Sequence, residues 1–507
     1  MLFLLLLAVA GIYFTASVLW PLDRPQTPDS DVSVVLRNIN LVDLETGELR
    51  PDTDIAVRQG RIEAVGINLS APGLQEVDGA GRYAIPGLFD MHVHSLRLSP
   101  VLTHPLFIAA GVTAVRDMGG CLGDFDSWIA CAVDKREWNR ATDAGAMVGP
   151  RYDQITSLPI NGGSEIPSGW DLALGAPHAE GARQRVALDA ARGIDFLKPY
   201  SLVPRESYFA LIESARDRGM YLAGHKPLAI SGFEAAAAGQ RSIEHAFLFI
   251  WECYPGIEEL RKQKNVRAAY THETRREMLE QHDAEQCAAL RRAMIAGGTA
   301  FVPTHTTRKL DAYSLDPEYR SDPRLKYVPA PLRTLWLADA DSMAERAGVE
   351  GYASYRDFYE FGIEQTGRAH AAGVTVMAGT DAPDSFAFPG FGLHDELGHL
   401  SQAGLSPVEV LRTATIEPAR FLGLEGEAGV IAAGARADIV LLRDNPLEDV
   451  QAVRSVDAVV LAGKIYDRDR LDAMLLQTAR TANHWSMWPK FVWQALRSPI
   501  FRAQFAD

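Results

Sequence analysis

The chain has 507 residues, of which 47% are hydrophobic and 23% charged, as in a folded globular protein with a large core. Its 50 Lys and Arg residues against 65 Asp and Glu residues give a formal net charge of −15, which argues against nucleic acid as a ligand. The four cysteines, Cys121, Cys131, Cys253 and Cys287, lack the CxxC spacing of a structural zinc site. At most Cys121 pairs with Cys131, and the pattern favours unpaired buried thiols.

The chain begins with an uncharged, leucine-rich run from Leu2 to Trp20, about the length needed to cross ~30 Å of hydrocarbon. This run predicts either an uncleaved membrane anchor over residues 1–21 or a secretion signal. The missing basic start and the early A-x-A-like site favour the anchor. In both cases the catalytic part is expected outside the cytoplasm, in the periplasm if the source is bacterial. Residues 22–30 then form an extended linker.

Two distant segments predict antiparallel strands. Residues 31–85 contain short β-type runs broken by Gly, Asn and Asp turn residues, and a similar pattern returns in residues 424–470. We expect the two segments to join into one small β-sandwich domain around the chain that lies between them.

Residues 86–423 alternate strand-like runs with longer helical patterns, which is typical of parallel βαβ units in an α/β protein. Several of the eight strand candidates follow a helix that ends in glycine, as in RDRGMYLAGH. Eight such units predict a (β/α)8 barrel of the TIM type, whose chemistry lies at the carboxyl ends of the strands. The span exceeds the ~250 residues typical of this fold, so residues 251–286 and 306–361 are interpreted as insertions over the site.

Polar side chains end successive strand candidates. In chain order they are His92 and His94, Lys198, His225, His245, His305 and Asp381. His92 and His94 are two residues apart and therefore share one face of their strand. Each residue alone would more often pack, cap a helix or reach solvent, but their recurrence at one end of a barrel favours a metal site. Imidazoles and a carboxylate suit Zn²⁺ or a similar divalent ion, whereas a lysine ammonium has no lone pair to donate.

The chain also carries the motifs IPGLFDMHVH, AAGVTAVRDMGG, FLKPY, AGHKP, SIEHAF, MAGTDAP and GARADIVLLRDNP, spread from about Val32 to Lys464. In this combination they resemble the amidohydrolase superfamily, in particular its branch related to imidazolonepropionase and prolidase. The resemblance implies a binuclear metal-dependent hydrolase with two divalent ions, expected to be zinc.

By that resemblance, six residues would bind the ions: His92, His94 and Asp381 on one, His225 and His245 on the other, and Lys198 between them. Lys198 would be carboxylated by CO2 to a carbamate that bridges both ions. A metal-bridging hydroxide would attack the substrate, with Asp381 moving the proton from the hydroxide to the leaving amine.

The substrate side is less determined by the sequence. Tyr200, two residues after Lys198, could donate a hydrogen bond to an oxyanion or a substrate carboxylate, or simply line the rim. His305 and His394 could contact substrate, with packing or helix capping as the alternative. Arg151 could bind a carboxylate, or be a solvated or structural arginine.

The resemblance implies cleavage of amide bonds, in dipeptides or N-acyl amino acids, with a small molecule as the partner. A lactonase or phosphotriesterase-like hydrolase is the alternative, since the same hydroxide attacks esters and phosphoesters. An imidazolonase is disfavoured because a carbamate-forming lysine suggests two metals, and a non-catalytic binding barrel would not need a complete ligand set. A homo-oligomer is compatible with the sequence.

Residues 471–507 lie beyond the resemblance. Trp488, Phe491 and Val492 fall at helical spacing, with Lys490 among the polar positions. The pattern predicts an amphipathic aromatic helix, which either lies in a membrane interface or packs on the barrel or a sister subunit.

Overall fold

The computed structural model describes residues 2–28, 33–123, 125–162, 175–263 and 266–498. The end of the predicted linker and the start of the predicted β domain, at residues 29–32, lie outside the described residues. So do residues 499–507 of the C-terminal segment.

Fifteen β-strands lie in these ranges and form three sheets. They are β1 (Val34–Asp43), β2 (Glu48–Arg58), β3 (Arg61–Gly66), β4 (Gln75–Asp78), β5 (Tyr83–Pro86), β6 (Leu88–Val93), β7 (Val112–Asp117), β8 (Arg151–Ile155), β9 (Phe196–Leu197), β10 (Tyr221–Gly224), β11 (Ser242–Glu244), β12 (Ala300–Val302), β13 (Ile439–Leu442), β14 (Val456–Leu461) and β15 (Lys464–Asp467).

The described ranges also contain twenty α-helices, and two short 3-10 helices at Pro323–Tyr327 and Val450–Arg454. The α-helices are α1 (Leu2–Leu19), α2 (Ser99–Leu102), α3 (His104–Ala109), α4 (Ala132–Asp143), α5 (Ala179–Ala191), α6 (Arg205–Arg216), α7 (Gly232–Ala238), α8 (Leu248–Glu252), α9 (Ile257–Arg261), α10 (Val266–Ala269), α11 (His272–Glu280), α12 (Ala284–Gly297), α13 (His305–Tyr313), α14 (Pro317–Arg320), α15 (Ala330–Ala371), α16 (Phe391–Gln402), α17 (Pro407–Thr413), α18 (Ile416–Leu422), α19 (Arg468–Ala482) and α20 (Met487–Arg497).

The largest sheet joins strands from both ends of the chain. Its order is β15-β14-β13-β5-β1-β2-β3, with β4 also paired to β1. Strand β13 runs antiparallel to β5, where Leu441 pairs with Ala84. The N- and C-terminal segments therefore join in one sheet, and their strands share one apolar cluster that includes Leu36, Ile55 and Val460. The sandwich form of this β domain stays a prediction.

The chain between these segments forms two parallel sheets, β6-β7-β8 and β9-β10-β11-β12. All six side chains of β6 and of β7 are buried, as expected for parallel strands covered on both faces. Val115 of β7, Leu393 of α16 and Val440 of β13 belong to one apolar cluster, which holds the parallel strands against the mixed sheet.

Single parallel bridges connect the strands beyond these sheets. They join Thr156 to Phe196, Phe301 to Val376, and Val93 to Ala382. The eighth strand candidate, residues 374–382, forms only the last two bridges and no regular strand. Within this segment the backbone of Asp381 has a φ of 66°, outside the extended region of a regular strand.

Helix ends follow the glycine pattern of the sequence. Helices α7 and α12 stop at Gly239 and Gly298, whose positive φ values of 88° and 64° close the last turn. These positions confirm the predicted helix-to-strand transitions before β11 and β12.

The structure pairs all four cysteines, Cys121 with Cys131 and Cys253 with Cys287. The expectation of at most one pair was therefore wrong. Tertiary packing of α8 against α12 brings the second pair together across 34 residues of sequence, a spacing that carries no sign of pairing.

The two terminal helices contact each other. Helix α20 confirms the helical spacing predicted for the C-terminal segment, and its Lys490 Nζ donates hydrogen bonds to the carbonyls of Val18 and Trp20, at the end of α1. The described part of the chain contains no helix that is long and apolar enough to cross a membrane.

Candidate metal centre

The side chains that end the parallel strands come together in one cluster. Asp381 Oδ1 lies 3.3 Å from His92 Nε2 and 3.0 Å from His94 Nε2. Lys198 Nζ is 3.4 Å from His94 Nε2. One carboxylate, two imidazoles and one amine therefore meet within hydrogen-bonding reach.

Two further imidazoles complete the cluster. The Nε2 atoms of His225 and His245 are 2.9 Å apart, and the ring centroids of His92 and His245 are 5.1 Å apart. Ligand atoms of His92, His245 and Asp381 all lie within 4.8 Å of one another. The structure thus brings together all six residues expected to bind metal.

A glycine lets Asp381 approach β6. The Asp381 N–H donates to the His92 carbonyl at 2.7 Å. A Cβ on Gly379 would stand only 2.9 Å from the backbone nitrogen of His92. Any side chain at position 379 would therefore push the backbone that carries Asp381 away from β6.

The rings of His92, His225 and His245 are each held by a contact to Nδ1, the nitrogen on the outer side of the ring. The Nδ1 atom lies 3.0 Å from Glu244 Oε2 for His92, 2.9 Å from Ser201 Oγ for His225, and 2.8 Å from Thr304 Oγ1 for His245. Outer partners of this kind commonly orient metal-binding histidines. They leave Nε2 of all three rings directed toward the centre of the cluster.

The charges of the cluster suit a cation. Burial lowers the pKa of His92, and lowers those of His225 and His245 well below the usual histidine value, so these imidazoles are neutral with a lone pair available. Burial opposes ionisation of Asp381, but the neighbouring histidines hold its pKa well below the usual range. Burial also lowers the pKa of Lys198.

These donors fit a divalent metal. His92 Nε2 is buried and forms no hydrogen bond with the described residues, although a buried polar atom normally has a partner. Neutral imidazoles and an ionised carboxylate are ligands that Zn²⁺ and similar ions take in proteins.

A buried ion pair supports His92 from behind. Arg116 Nη2 lies 2.8 Å from Glu244 Oε1, and both side chains are fully buried. Arg116 also donates to the Met91 carbonyl and to Ser242 Oγ. Burial opposes the charge of Glu244, but Arg116 and His92 outweigh it and lower the pKa of this carboxyl. The sequence analysis missed both residues, although Arg116 belongs to the AVRDMG motif and Glu244 to the SIEHAF motif, beside the predicted strand ends.

Asp90 is a third residue that sequence reasoning missed. Its carboxylate accepts hydrogen bonds from the His92 N–H, the Thr380 N–H and the Thr380 hydroxyl. These bonds tie β6 to the segment that carries Asp381. Burial raises the pKa of Asp90 to about 7.

The amidohydrolase family model matches residues 199–466, more than half of the chain, and its match includes His225, His245 and Asp381. The chain belongs to the amidohydrolase family.

Curated relatives of this amidohydrolase include adenine deaminases. The enzyme of Gluconobacter oxydans (strain 621H) is 39% identical over 109 residues, which cover 20% of this chain and 19% of that enzyme. Adenine deaminase 3 of Rhizobium meliloti (strain 1021) is 21% identical over 425 residues, 81% of this chain and 55% of that enzyme. The matches thus span between a fifth and about half of the length of these relatives.

Solved structures share the fold of this amidohydrolase. A bottromycin amidohydrolase has a TM-score of 0.69 at 23% identity, covering 93% of this chain and 94% of that chain. A Xaa-Pro dipeptidase with bound methionine in its active site has a TM-score of 0.59 at 20% identity, covering 86% of this chain and 99% of that chain.

Of the four residues expected to contact substrate, Tyr200 lies beside the cluster, whereas Arg151 is bound to another carboxylate. The ring of Tyr200 is beside His225, with centroids 4.1 Å apart, so this tyrosine borders the metal centre of the amidohydrolase. Arg151 instead pairs with both carboxylate oxygens of Asp438, at 2.8 and 2.9 Å. This ion pair joins β8 to the start of β13 and makes Arg151 a structural arginine.

The other two residues expected to contact substrate, His305 and His394, are buried in the interior of the protein. His305 begins α13 instead of ending a strand, and its Nε2 is 2.9 Å from Thr366 Oγ1. His394 donates from Nε2 to the Ala110 carbonyl at 2.8 Å, and burial lowers its pKa to about 4. Both rings have partners inside the protein, and their substrate contacts stay a prediction.

Proposed function

We propose that this amidohydrolase cleaves amide bonds of small substrates, of the N-acyl amino acid or dipeptide type. The observation that carries the proposal is the convergence of four imidazoles, a carboxylate and a buried lysine amine at neighbouring strand ends. The Xaa-Pro dipeptidase among the structural neighbours supports a peptide-like substrate. The adenine deaminases among the relatives support a purine as the second candidate.

The proposal includes a closed (β/α)8 barrel. The three parallel bridges support closure, because they link β8 to β9, β12 to the eighth segment, and the eighth segment to β6. In such a barrel the carboxyl ends of all strands face one mouth, where the chemistry of this fold takes place.

We infer that His92, His94 and Asp381 hold one divalent ion and that His225 and His245 hold a second, with zinc as the expected metal. Bound divalent ions supply Lewis acidity and lower the pKa of water to near neutrality.

We infer that Lys198 would be carboxylated by CO2 and would then supply carbamate oxygens to the metal site. Its side chain is 2% exposed and, among the described residues, forms no ion pair. Burial favours the neutral amine, which is the form that reacts with CO2. Carbamylation converts this amine into an anion with two oxygens, which removes the difficulty of an ammonium placed among metal ligands.

The Asp381 carboxylate is the group that moves the proton. Oδ1 faces His92 and His94, whereas Oδ2 lies on the side of His245, 3.8 Å from its Nδ1. Oδ2 would accept a proton from the attacking water and deliver it to the amine nitrogen as the C–N bond breaks. Tyr200, beside His225, would donate a hydrogen bond to the oxygen of the scissile carbonyl or to a substrate carboxylate.

A substrate screen tests the proposal. Zinc-loaded protein is assayed with N-acyl amino acids, dipeptides, adenine, lactones and phosphotriesters, with chelator-treated protein as the control. We expect amine release from an N-acyl amino acid or a dipeptide with a kcat/KM of about 10⁴ M⁻¹ s⁻¹ or more, and loss of this activity after chelation. Turnover confined to adenine, lactones or phosphotriesters would refute amide hydrolysis.

We further propose that α1 and α20 form a surface that binds a lipid bilayer, outside the cytoplasm. On α1 the large apolar side chains Phe3, Leu4, Leu5 and Ile12 are mostly exposed. On α20 the exposed set is Trp488, Val492, Trp493 and Leu496. Apolar and tryptophan side chains beside basic residues suit the headgroup boundary of a membrane. The two disulfides support an oxidising compartment.

Vesicle flotation tests this surface. We expect the full chain to float with phosphatidylglycerol-containing vesicles, and Trp488→Ser with Trp493→Ser to weaken binding about tenfold or more, since each buried aromatic contributes roughly 1.5–3 kcal/mol. The matched control is Ile67→Ser with Phe125→Ser, which also removes exposed apolar side chains but leaves α20 intact. Equal flotation of both double variants would reject the surface.

A further inference from the structure

A second cluster of metal-binding side chains shares no residue with the proposed metal centre. The sulfur atoms of Cys253 and Cys287 and a ring nitrogen of His282 all lie within 4.8 Å of one another. Two cysteines and one histidine are a ligand set that Zn²⁺ takes in proteins. Among the described residues, no histidine or carboxylate completes such a set at the other disulfide, Cys121–Cys131.

Neither ring nitrogen of His282 has a hydrogen-bonding partner among the described residues. Both nitrogens are buried, although buried polar atoms normally have a partner. The ring packs edge-on against Phe361, with centroids 4.8 Å apart. Burial, together with the charges of Arg368 and Arg291, lowers the pKa of His282. The imidazole is therefore neutral at pH 7 and has a lone pair available for a metal ion.

The backbone holds the three side chains close together. Cys253 directly follows α8, His282 lies just before α12, and Cys287 lies near the start of α12. The Asp283 N–H donates to the Cys253 carbonyl at 2.8 Å, and the Asp283 carboxylate accepts two backbone N–H groups of α12. These contacts do not involve the sulfur atoms, so they keep the ligands together when the bond between the sulfurs opens.

The surroundings of the cluster favour a divalent ion. Both cysteines are fully buried, and Zn²⁺ with two thiolates has no net charge, which avoids the cost of burying a charged group. His282 is only partly buried and gives the ion a route from solvent. Gln365 Oε1, 3.8 Å from Cys287 Sγ, or a water molecule would fill the fourth position of a tetrahedral site.

We infer that Cys253, His282 and Cys287 form a redox-controlled zinc site, which is closed while the two sulfurs are bonded and binds Zn²⁺ after their reduction. A dithiol reductant gives two electrons and two protons to the sulfur pair and is itself oxidised to a disulfide. Zn²⁺ then displaces the two thiol protons and binds both sulfurs and the His282 ring. The α8 and α12 segments are thus cross-linked in both redox states, and the site does not depend on the proposed amide hydrolysis.

Cobalt titration tests the site. The full chain is purified anaerobically with dithiothreitol, desalted and titrated with Co²⁺, whose charge-transfer band with thiolates is not given by the cysteine-free metal centre. We expect this band in the reduced chain, its loss when Zn²⁺ displaces Co²⁺, and no band in the oxidised chain. Cys253→Ser with Cys287→Ser should abolish the band, whereas the matched control, Cys121→Ser with Cys131→Ser, should keep it.

Replacing His282 with alanine tests the third ligand and leaves the sulfurs in place. Zinc affinity, measured by displacement of Co²⁺ from the thiolates, should fall about 100-fold or more, since loss of even an outer partner costs about 10- to 100-fold. The matched control is His272→Ala, a partly exposed histidine of α11 outside the cluster. No thiolate band in the reduced wild type, or equal zinc affinity in the two histidine variants, would overturn the site.

Cysteine alkylation keeps the test valid if a cysteine variant fails to fold. In the reduced wild type, Zn²⁺ should slow iodoacetamide labelling of Cys253 and Cys287 about tenfold or more relative to Cys121 and Cys131, because a metal-bound thiolate is no longer a free nucleophile. Peptide mass spectrometry measures the four rates in the same molecule. An equal effect of Zn²⁺ on both cysteine pairs would reject the zinc site.

Discussion

Replacing Asp381 with asparagine will lower kcat by about 10²- to 10⁴-fold, the range that general acid–base groups contribute. The carboxylate is mostly buried among His92, His94 and His245, and an asparagine has nearly the same shape. The amide keeps an oxygen toward the histidines but accepts no proton from water. The fold should survive, since the backbone hydrogen bond of Asp381 to His92 remains.

The measurement combines kcat on an N-acyl amino acid with metal content per chain and circular dichroism. Full metal content with lost turnover would assign the loss to proton transfer, and reduced metal content would assign it to the ligand role. Asp143→Asn is the control, because this largely exposed carboxylate pairs with Arg151. Retained turnover in Asp381→Asn would contradict the proton-transfer role.

Replacing Arg116 with methionine will lower the free energy of unfolding by about 3–5 kcal/mol, the cost of leaving one partner of a buried ion pair without its charge. Arg116 and Glu244 are both fully buried, so water cannot replace the guanidinium. Because Glu244 orients His92, metal affinity should also fall about 10- to 100-fold. Denaturant unfolding at pH 7 and metal titration measure the two effects.

The control for Arg116 is Arg58→Met, which removes an ion pair with Glu63 at the surface and should cost about 0–1 kcal/mol. Equal losses of unfolding free energy in the two variants would contradict the support of His92 by the buried ion pair.

In the wild type the pKa of Glu244 is lowered. The contribution of its charge to the free energy of unfolding is therefore present above the unfolded pKa of about 4.3 and disappears as the pH falls through the folded pKa. In the variant, burial without Arg116 disfavours the charged form of Glu244. The difference in unfolding free energy between the wild type and the variant should therefore become smaller at acidic pH.

The convergence of the six clustered residues could be predicted from the sequence because their positions at strand ends follow from local rules. His92 and His94 share a strand face through the two-residue period, and parallel strands place their carboxyl ends together. Their supporting groups do not follow such rules. Glu244 and Arg116 are separated by 128 residues of sequence, and nothing in either motif indicates that the two charges meet behind His92.

Predictions from the sequence were wrong where the same local pattern is compatible with two different structures. His305 follows a strand-like run, yet it begins α13 and packs against Thr366, because the strand ends at Val302. The pairing of Cys253 with Cys287 also depended on long-range packing. Short apolar runs and isolated cysteines carry no information about such partners.

By itself, the sequence determined the order of elements, the glycines that end helices, and which side chains stand at strand ends, since each depends on residues a few positions apart. Only the tertiary structure decided the buried Glu244–Arg116 support and the disulfide that joins Cys253, just after α8, to Cys287 of α12. These features arise where distant segments approach one another, and their free energy comes from excluding water between surfaces that are not adjacent in the chain.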